Sequence, residues 1–406
     1  MYKMKNSGIE WIGQIPEDWG LNKIGALYEE RNIKVSDQDY PPLSVTKQGV
    51  VPQLETAAKT DNGDNRKLIK KNDFVINSRS DRRGSCGISE YDGSCSLINT
   101  VLKPRHNMHN RYYNYVFRSE LFADEFYRWG NGIVDDLWST KWSNMKRIYV
   151  PFPNIEIQRR IADFLDEKCG KIDRYIEKQQ QVIEKLKAYK RSVITEAVTF
   201  REGWTSCHLG YLAQFKNGLN YSGISTNVEI KFLGVGDFQN YFMLDSEEMF
   251  STLKFDGNMP EDLLLKNGDI VFVRSNGSKD LVGRSVLIVN VGYPLTYSGF
   301  CIRMRNYRQD VVLNKFLLYR FWSNEFRQSL NRDSRGSNIN NLNQELLAKL
   351  TVAFPNVDKQ REIISFLDKK CADIDNAIDK KQTLIDKMAE YKKSLIYEAV
   401  TGKLEV

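Results

Sequence analysis

At 406 residues the chain is longer than one ordinary domain needs, so two or more domains with their own hydrophobic cores are expected. Hydrophobic residues make up 41% and no apolar run approaches the ~18 residues of a membrane helix, which argues for a soluble protein. The formal net charge of +7 is compatible with a polyanionic partner without requiring one. The charged start at Met1, leading into Gly8-Ile-Glu-Trp11, has no apolar signal core, so a cytoplasmic location is expected. Six cysteines occur without a C-x-x-C, and His106 with His109 has no cysteine at zinc spacing; reduced thiols and no metal follow as expectations.

The first stretch, residues 1–157, opens on Trp19 and the amphipathic segment to Leu27. A polar turn at Lys71-Asn-Asp73 then feeds an apolar, strand-like run that ends in Arg79-Ser80. An aromatic segment, Tyr112 to Ser119, has helical spacing, which favours a place in the core over a base-stacking surface. The cationic turn Arg79, Arg82 and Arg83, together with Lys141, is a candidate DNA-contacting element, because arginine reads guanine bidentately and lysine holds phosphate. An ordinary solvated loop explains any one of these residues equally well.

From Val150 to Thr199 the chain carries a segment that recurs from Val352 to Thr401, with 27 of 50 positions identical and no gap. Such a match is a duplication, and its detection decides the architecture. Apolar residues alternate at spacings of four and three, including Leu165, Ile172, Ile176, Ile183 and Leu186 in the first copy. The second copy places Leu367, Ile374, Ile378, Ile385 and Met388 in the same way. That pattern is a coiled-coil seam, and a helix over residues 158–199 would be about 63 Å long, too long to fold inside a compact domain. Two seam positions are polar in both copies, Gln179 with Lys381 and Lys190 with Lys392; they either fix register or lie where the seam splays. Pro151, Pro153 and Pro355 mark where the globular parts end.

Residues 200–356 repeat the order of the first stretch more weakly. Trp204 opens it, Lys266-Asn-Gly-Asp269 feeds a strand ending in Arg274-Ser275, and Lys315 to Ser323 is the aromatic helical segment. Its candidate DNA contacts are Arg274, Asn276, Lys279, Arg284, Arg332, Arg335 and Asn338, asparagine being suited to adenine. A second long helix over 357–406 follows, closed by Gly402. The fold class is therefore α+β: two similar mixed α/β domains separated by two long antiparallel coiled-coil helices, an internal duplication with pseudo-two-fold character.

These residues resemble a known family. The opening Ser7 to Trp19 looks like the N-terminal signature of the Type I restriction-modification specificity subunits, and Gly268-Asp-Ile-Val-Phe-Val-Arg-Ser275 resembles the "GD" strand of their recognition domains. Asn72 replaces the glycine in the first half. Phe-Pro followed by Gln-Arg-x-Ile-x-x-Phe-Leu-Asp, present twice, is similar to the family's pair of conserved helices. The resemblance spans essentially the whole chain. It implies that 1–157 and 200–356 are target-recognition domains, each reading one half of a bipartite DNA target, with the helices setting the unread spacer. It also implies partners: double-stranded DNA, two modification subunits that use S-adenosylmethionine, and restriction subunits that use ATP and Mg2+. This chain itself would be non-catalytic and bind no cofactor.

The residues agree with a non-catalytic role. Phe232-Leu-Gly-Val-Gly236 mimics a methyltransferase F-x-G-x-G but lacks a following D/N-P-P-Y/F, Asp39-Tyr-Pro-Pro42 not being one, and reads better as a strand-to-turn element. No Walker A segment is present, and Glu229-Ile-Lys231 has no short-range acidic partner upstream for a nuclease site. Two rivals remain at this level: an enzyme fused to recognition domains, disfavoured by the missing motifs, and a structural coiled coil, which leaves the paired globular halves unexplained.

Overall fold

The computed structural model describes residues 3–53, 63–106, 108–132, 138–220, 228–239, 241–255, 259–276, 281–333 and 342–406. The chain divides into two compact units, one made of Met1–Gln180 with Gln382–Val406 and the other of Gln181–Lys381. The division cuts both long helices, Ile155–Val198 and Val357–Val400, each of 44 residues. Each unit thus owns a globular part, one half of the first helix and one half of the second. Among the described residues no helix is long and apolar enough to cross a membrane.

In the first unit an antiparallel sheet runs in the spatial order Cys86–Ile88, Phe74–Asn77, Asn99–Pro104, Tyr28–Glu30. A three-stranded sheet of Gly93–Cys95, Arg66–Ile69 and Lys34–Val35 lies beside it in sequence order. The helices Asn110–Arg118 and Glu120–Arg128 bury Tyr112, Tyr113, Phe117, Phe122 and Phe126 with Tyr28 and Phe74 in one core, so the aromatic segment is core, as its spacing suggests. Ile161, Leu165 and Cys169 from the start of the first long helix join that core, as do Leu395, Ala399 and Val400 from the end of the second. The helix halves therefore run antiparallel within the unit.

The second unit has a five-stranded sheet in the order Ala213–Asn217, Cys301–Asn306, Ile270–Val273, Ser285–Ile288, Met243–Leu244. A three-stranded sheet of Ser251–Phe255, Val228–Leu233 and Leu295–Tyr297 completes it, and Asn314–Trp322 is the aromatic helix. Val228–Leu233 ends in a short turn in which the Asp237 carboxylate accepts from the Gly234 N–H at 2.7 Å, so the F-x-G-x-G segment is a strand-to-turn element. The unit's core takes Ile194 and Val198 from the end of the first long helix, and Leu367 and Cys371 from the start of the second.

The repeated motif has a direct physical explanation. Asn154 and Asn356 cap the long helices, each accepting an N–H three residues on at 2.9 Å. Gln158 and Gln360 are fully buried. The Gln158 carbonyl oxygen accepts from the His109 N–H at 2.8 Å while its amide donates to Pro153 O at 2.7 Å. Gln360 accepts from the Leu313 N–H at 2.8 Å and donates to Pro355 O at 2.8 Å and Val311 O at 2.9 Å. One amide therefore ties the helix start to the residue that opens the aromatic helix. The Phe-Leu-Asp end of the motif makes a second tie: Asp166 and Asp368 accept from the hydroxyls of Tyr115 and Tyr319, both at 2.7 Å.

Two polar seam residues also find partners. Lys190 binds Asp375 at 2.6 Å in the second unit and Lys392 binds Asp173 at 2.7 Å in the first, the same cross-helix pair produced by both copies of the repeat. The named seam residues Leu165, Ile172, Ile183, Leu367, Ile374 and Ile385 are buried, and Ile176, Leu186, Ile378 and Met388 half-buried. Burial pushes the thiols of Cys86, Cys95 and Cys301 up to about 12, so they are inert at neutral pH.

These contacts rank in strength. Removing the Gln360 amide leaves a buried N–H and carbonyls unsatisfied, at about 1–3 kcal/mol for each group, whereas a half-exposed ion pair is worth about 0.2–1 kcal/mol. Gln360→Ala is therefore expected to lower the thermal unfolding midpoint far more than Lys190→Ala. Equal midpoints for the two variants, measured by calorimetry, would contradict the tie.

Candidate nucleic-acid interface

The site is built along one strand in each unit, with a polar turn leading in and the polar residues following its far end. In the first, Asp73 accepts from the Lys70 N–H at 2.8 Å and is gripped bidentately by Arg31, at 2.6 and 3.0 Å. In the second, Asp269 accepts from the Lys266 N–H at 2.7 Å and is gripped bidentately by Arg305, at 2.8 and 2.7 Å. Between Lys and Asp the chain must turn through positive φ, and both Gly268 (φ 89) and Asn72 (φ 70) do so. Asparagine tolerates this region better than other side-chain-bearing residues, so it replaces the glycine without altering the turn. The aromatic helix holds both turns alike: Asn110 Nδ2 donates to Asn72 O and Asn314 Nδ2 to Gly268 O, each at 2.8 Å.

Matching the turns in this way matches the strand ends, and there the two halves differ by one residue. Ser78 donates its N–H to Ile98 O, and Arg274 donates its N–H to Phe300 O. Thr140 N donates to Ser78 O at 2.9 Å, and Leu342 N to Arg274 O at 2.8 Å. Arg274 therefore stands where the first unit has Ser78, and Arg79 stands where the second has Ser275. The shared Arg-Ser ending is a coincidence of composition, shifted by one position.

The first-unit cations lie together at this strand end. Arg79 precedes the 3-10 turn Ser80–Arg82 and approaches Asp81 at 3.6 Å; Arg82 approaches the same carboxylate at 3.5 Å. Arg83 pairs with Asp124. Lys141 is exposed and follows Thr140, which the Ser78 carbonyl holds. In the second unit Arg274 is half-buried, with Nη1 donating to Gly299 O at 3.3 Å, and Asn276 is also half-buried. Arg332 lies in the helix Asn324–Asp333, its side chain outside the described residues, as are Lys279, Arg335 and Asn338 entirely.

Arg284 is set apart from Arg274 although its carbonyl accepts from the neighbouring Val273 N–H at 2.8 Å. Its side chain donates to Gln239 O and lines a cleft of about 530 Å³ with Arg191, Trp322 and Arg327. Burial, and then the nearby Arg191 charge, hold the Arg284 guanidinium below the usual arginine range. Arg191 and Arg327 were not among the residues singled out from sequence. The signal for Arg191 lies in the repeat: its counterpart Lys393 meets Glu120 at 3.4 Å in the first unit, while Asn324, which follows the matching cap Ser323, supplies no carboxylate. Among the described residues no group of His, Cys, Asp and Glu is placed to hold a metal ion. What the geometry offers is hydrogen-bond donors and positive charge on sheet-anchored backbone, the equipment for phosphates and base edges.

Comparison with known proteins agrees in kind. The Type I restriction modification DNA specificity domain matches residues 16–188 and again 201–385. The Type I restriction enzyme StySPI specificity subunit of Salmonella potsdam is 24% identical over 428 aligned positions, spanning 97% of this chain and 90% of that protein. The EcoKI specificity subunit of Escherichia coli K12 is 25% identical over 136 positions, covering 34% of this chain and 29% of its own. A solved chain described under the structural basis of complex assembly and conformational transition of the type I R-M system shares the fold, with a TM-score of 0.71 at 12% identity, covering 96% of this chain and 99% of that one. With two specificity domains that together span most of its length, the chain belongs to the Type I restriction-modification DNA specificity family, as a non-catalytic specificity subunit.

Proposed function

We propose that residues 1–157 and 200–356 are two target-recognition domains, each reading one half of a bipartite, asymmetric DNA target, and that 158–199 and 357–406 are the spacer helices between them. The observation that supports this reading most is the shared strand: the same lead-in turn, bidentate Asp–Arg lock and backbone bonds recur in both units, yet the polar residues beyond its far end differ. A common scaffold bearing different side chains suits two half-sites of different sequence, because base edges are read locally. The DNA contacts in this reading are Arg79, Arg82, Arg83 and Lys141 in the first domain, with Arg274, Asn276, Lys279, Arg284, Arg332, Arg335 and Asn338 in the second.

The chemistry is assigned to partners in the cytoplasm. Two modification subunits would bind S-adenosylmethionine and methylate adenine, and restriction subunits would use ATP and Mg2+. Their docking surface is the outer face of the helices. Tyr189 and Tyr391, the same position in the two copies, are exposed alike, at 54% and 55%. In the second unit Tyr189 lines a groove with Trp204 and the exposed Phe366. Two equivalent faces fit two copies of one partner.

Three outcomes test these assignments. Exchanging 200–356 for the matching region of a relative is expected to change one half-site only, read by sequencing methylated adenines; a change in both halves would defeat the local reading. Arg274→Ala should weaken recognition of the second half-site by about 1–3 kcal/mol if it makes a bidentate base contact. Should affinity instead fall on all sequences alike with a smaller salt slope, the contact is to phosphate. Titration of the chain with modification subunit should saturate at two per chain, and Tyr189→Ala with Tyr391→Ala should weaken both sites; saturation at one would refute the paired faces.

A further inference from the structure

Beside each strand end lies a four-residue turn whose two copies share almost no sequence: Ser96-Leu-Ile-Asn99 in the first unit and Ser298-Gly-Phe-Cys301 in the second. Both are closed in the same way, Asn99 N donating to Ser96 O at 3.0 Å and Cys301 N to Ser298 O at 2.8 Å. The flanking residues are buried, Cys95 and Asn99 on one side and Tyr297 and Cys301 on the other. At the third position of each turn the chain nevertheless exposes a large apolar side chain, Ile98 at 41% and Phe300 at 62%.

A single exposed apolar residue needs no explanation. Here the exposure recurs at one structural position of two diverged domains, and the backbone enforces it. The Ile98 carbonyl accepts from the N–H and hydroxyl of Ser78; the Phe300 carbonyl accepts from the Arg274 N–H at 2.7 Å and the Ser275 N–H at 3.4 Å. The carbonyl is anchored to the strand and the residue that closes each turn, Asn99 or Cys301, is buried, so the side chain is held outward; Leu97 beside Ile98 is exposed as well, at 40%. Its surroundings are cationic: Arg79 and Lys141 follow residues bonded to the first turn's strand end, and the Arg274 guanidinium donates to Gly299 O inside the second turn. Positive charge around an apolar point suits duplex DNA, in which phosphates flank bases that present methyl groups and π-faces; it does not suit an apolar protein groove.

We propose that Ile98 and Phe300 are base-contacting tips, one for each half-site, pressing an apolar surface onto the bases while the adjacent cations hold the phosphates. The proposal rests on the two-domain reading above and adds to it which turn meets the bases. Apolar contact of this kind, on a thymine methyl or an unstacked base step, discriminates sequence without a hydrogen bond.

The test uses the complex assembled with modification subunit and labelled duplexes carrying the methylated motif read from host DNA, with either half-site scrambled as a control. Phe300→Ala is expected to weaken binding of the intact target about tenfold, and Phe300→Leu to recover part of the loss. Ile98→Ala should act in the same direction on the first half-site and by less, since less apolar surface is removed. For each variant the penalty for scrambling its own half-site should shrink while the penalty for the other half stays. Unchanged affinity for Phe300→Ala in an intact complex overturns the proposal, as does an equal loss on scrambled DNA or a loss of modification-subunit binding in place of DNA affinity. If the domain exchange redirects one half-site while Phe300→Ala is silent, the tip assignment fails and the two-domain reading stands; if the exchange redirects neither, the reading itself fails.

Discussion

A buried amide at the first turn of each long helix is the constraint on which the rest of the molecule depends. Gln158 and Gln360 each satisfy the backbone N–H that opens the aromatic helix and the proline carbonyl that precedes their own helix. Three chain directions are thereby fixed at one point: the incoming strand, the long helix, and the aromatic helix beside it. The aromatic helix then fixes the polar turn through Asn110 or Asn314, and the turn fixes where its strand ends. The position of each strand end is thus passed along through hydrogen bonds, the buried ones among them costly to leave unmade.

This chain of contacts separates what the two halves must share from what they are free to vary. The glutamines and the Asp–Arg locks recur with the buried groups they satisfy, and the capping asparagines and Asp–Tyr ties recur beside them at more exposed positions. Beyond the last of these contacts the residues diverge: the equivalent of Ser78 is Arg274, and that of Ile98 is Phe300. One duplicated scaffold thus carries two different sets of side chains without two folds.

The same division governs what could be read from sequence. The repeat at constant spacing and its apolar seam were legible, because helix packing imposes a period that survives substitution. The aromatic helices were legible as core for that reason too. The strand ends were legible only approximately: both runs end in Arg-Ser, and only the positive φ shared by Asn72 and Gly268 reveals that the endings are one residue out of step. That Arg191 lines a cleft where its counterpart Lys393 meets Glu120 goes with Asn324 standing in the place of that glutamate, a difference carried on an element far away in the chain. Exposure of Ile98 and Phe300 depends on backbone bonds to another strand, and nothing in Leu-Ile or Gly-Phe announces it. Periodic burial leaves a trace in one dimension; a tip held out by tertiary hydrogen bonds leaves none.

The exchange of helix halves also sets an order of folding. The second unit is a single continuous segment, Gln181–Lys381, whereas the first needs Gln382–Val406 to be complete. Its core includes Leu395, Ala399 and Val400, and the buried hydroxyl of Tyr112 donates to Val400 O at 2.7 Å, a contact across nearly the full length of the chain. The first unit's core is therefore incomplete until Gln382–Val406 pack onto it, whereas the second unit draws its residues from one stretch of chain. Until then Ile161, Leu165 and Cys169 of the first helix lack the cover that Leu395, Ala399 and Val400 add in the finished core. The loop that must close to supply that cover includes the whole of the second unit, and apolar surface waiting on so long a closure is open to association in the meantime.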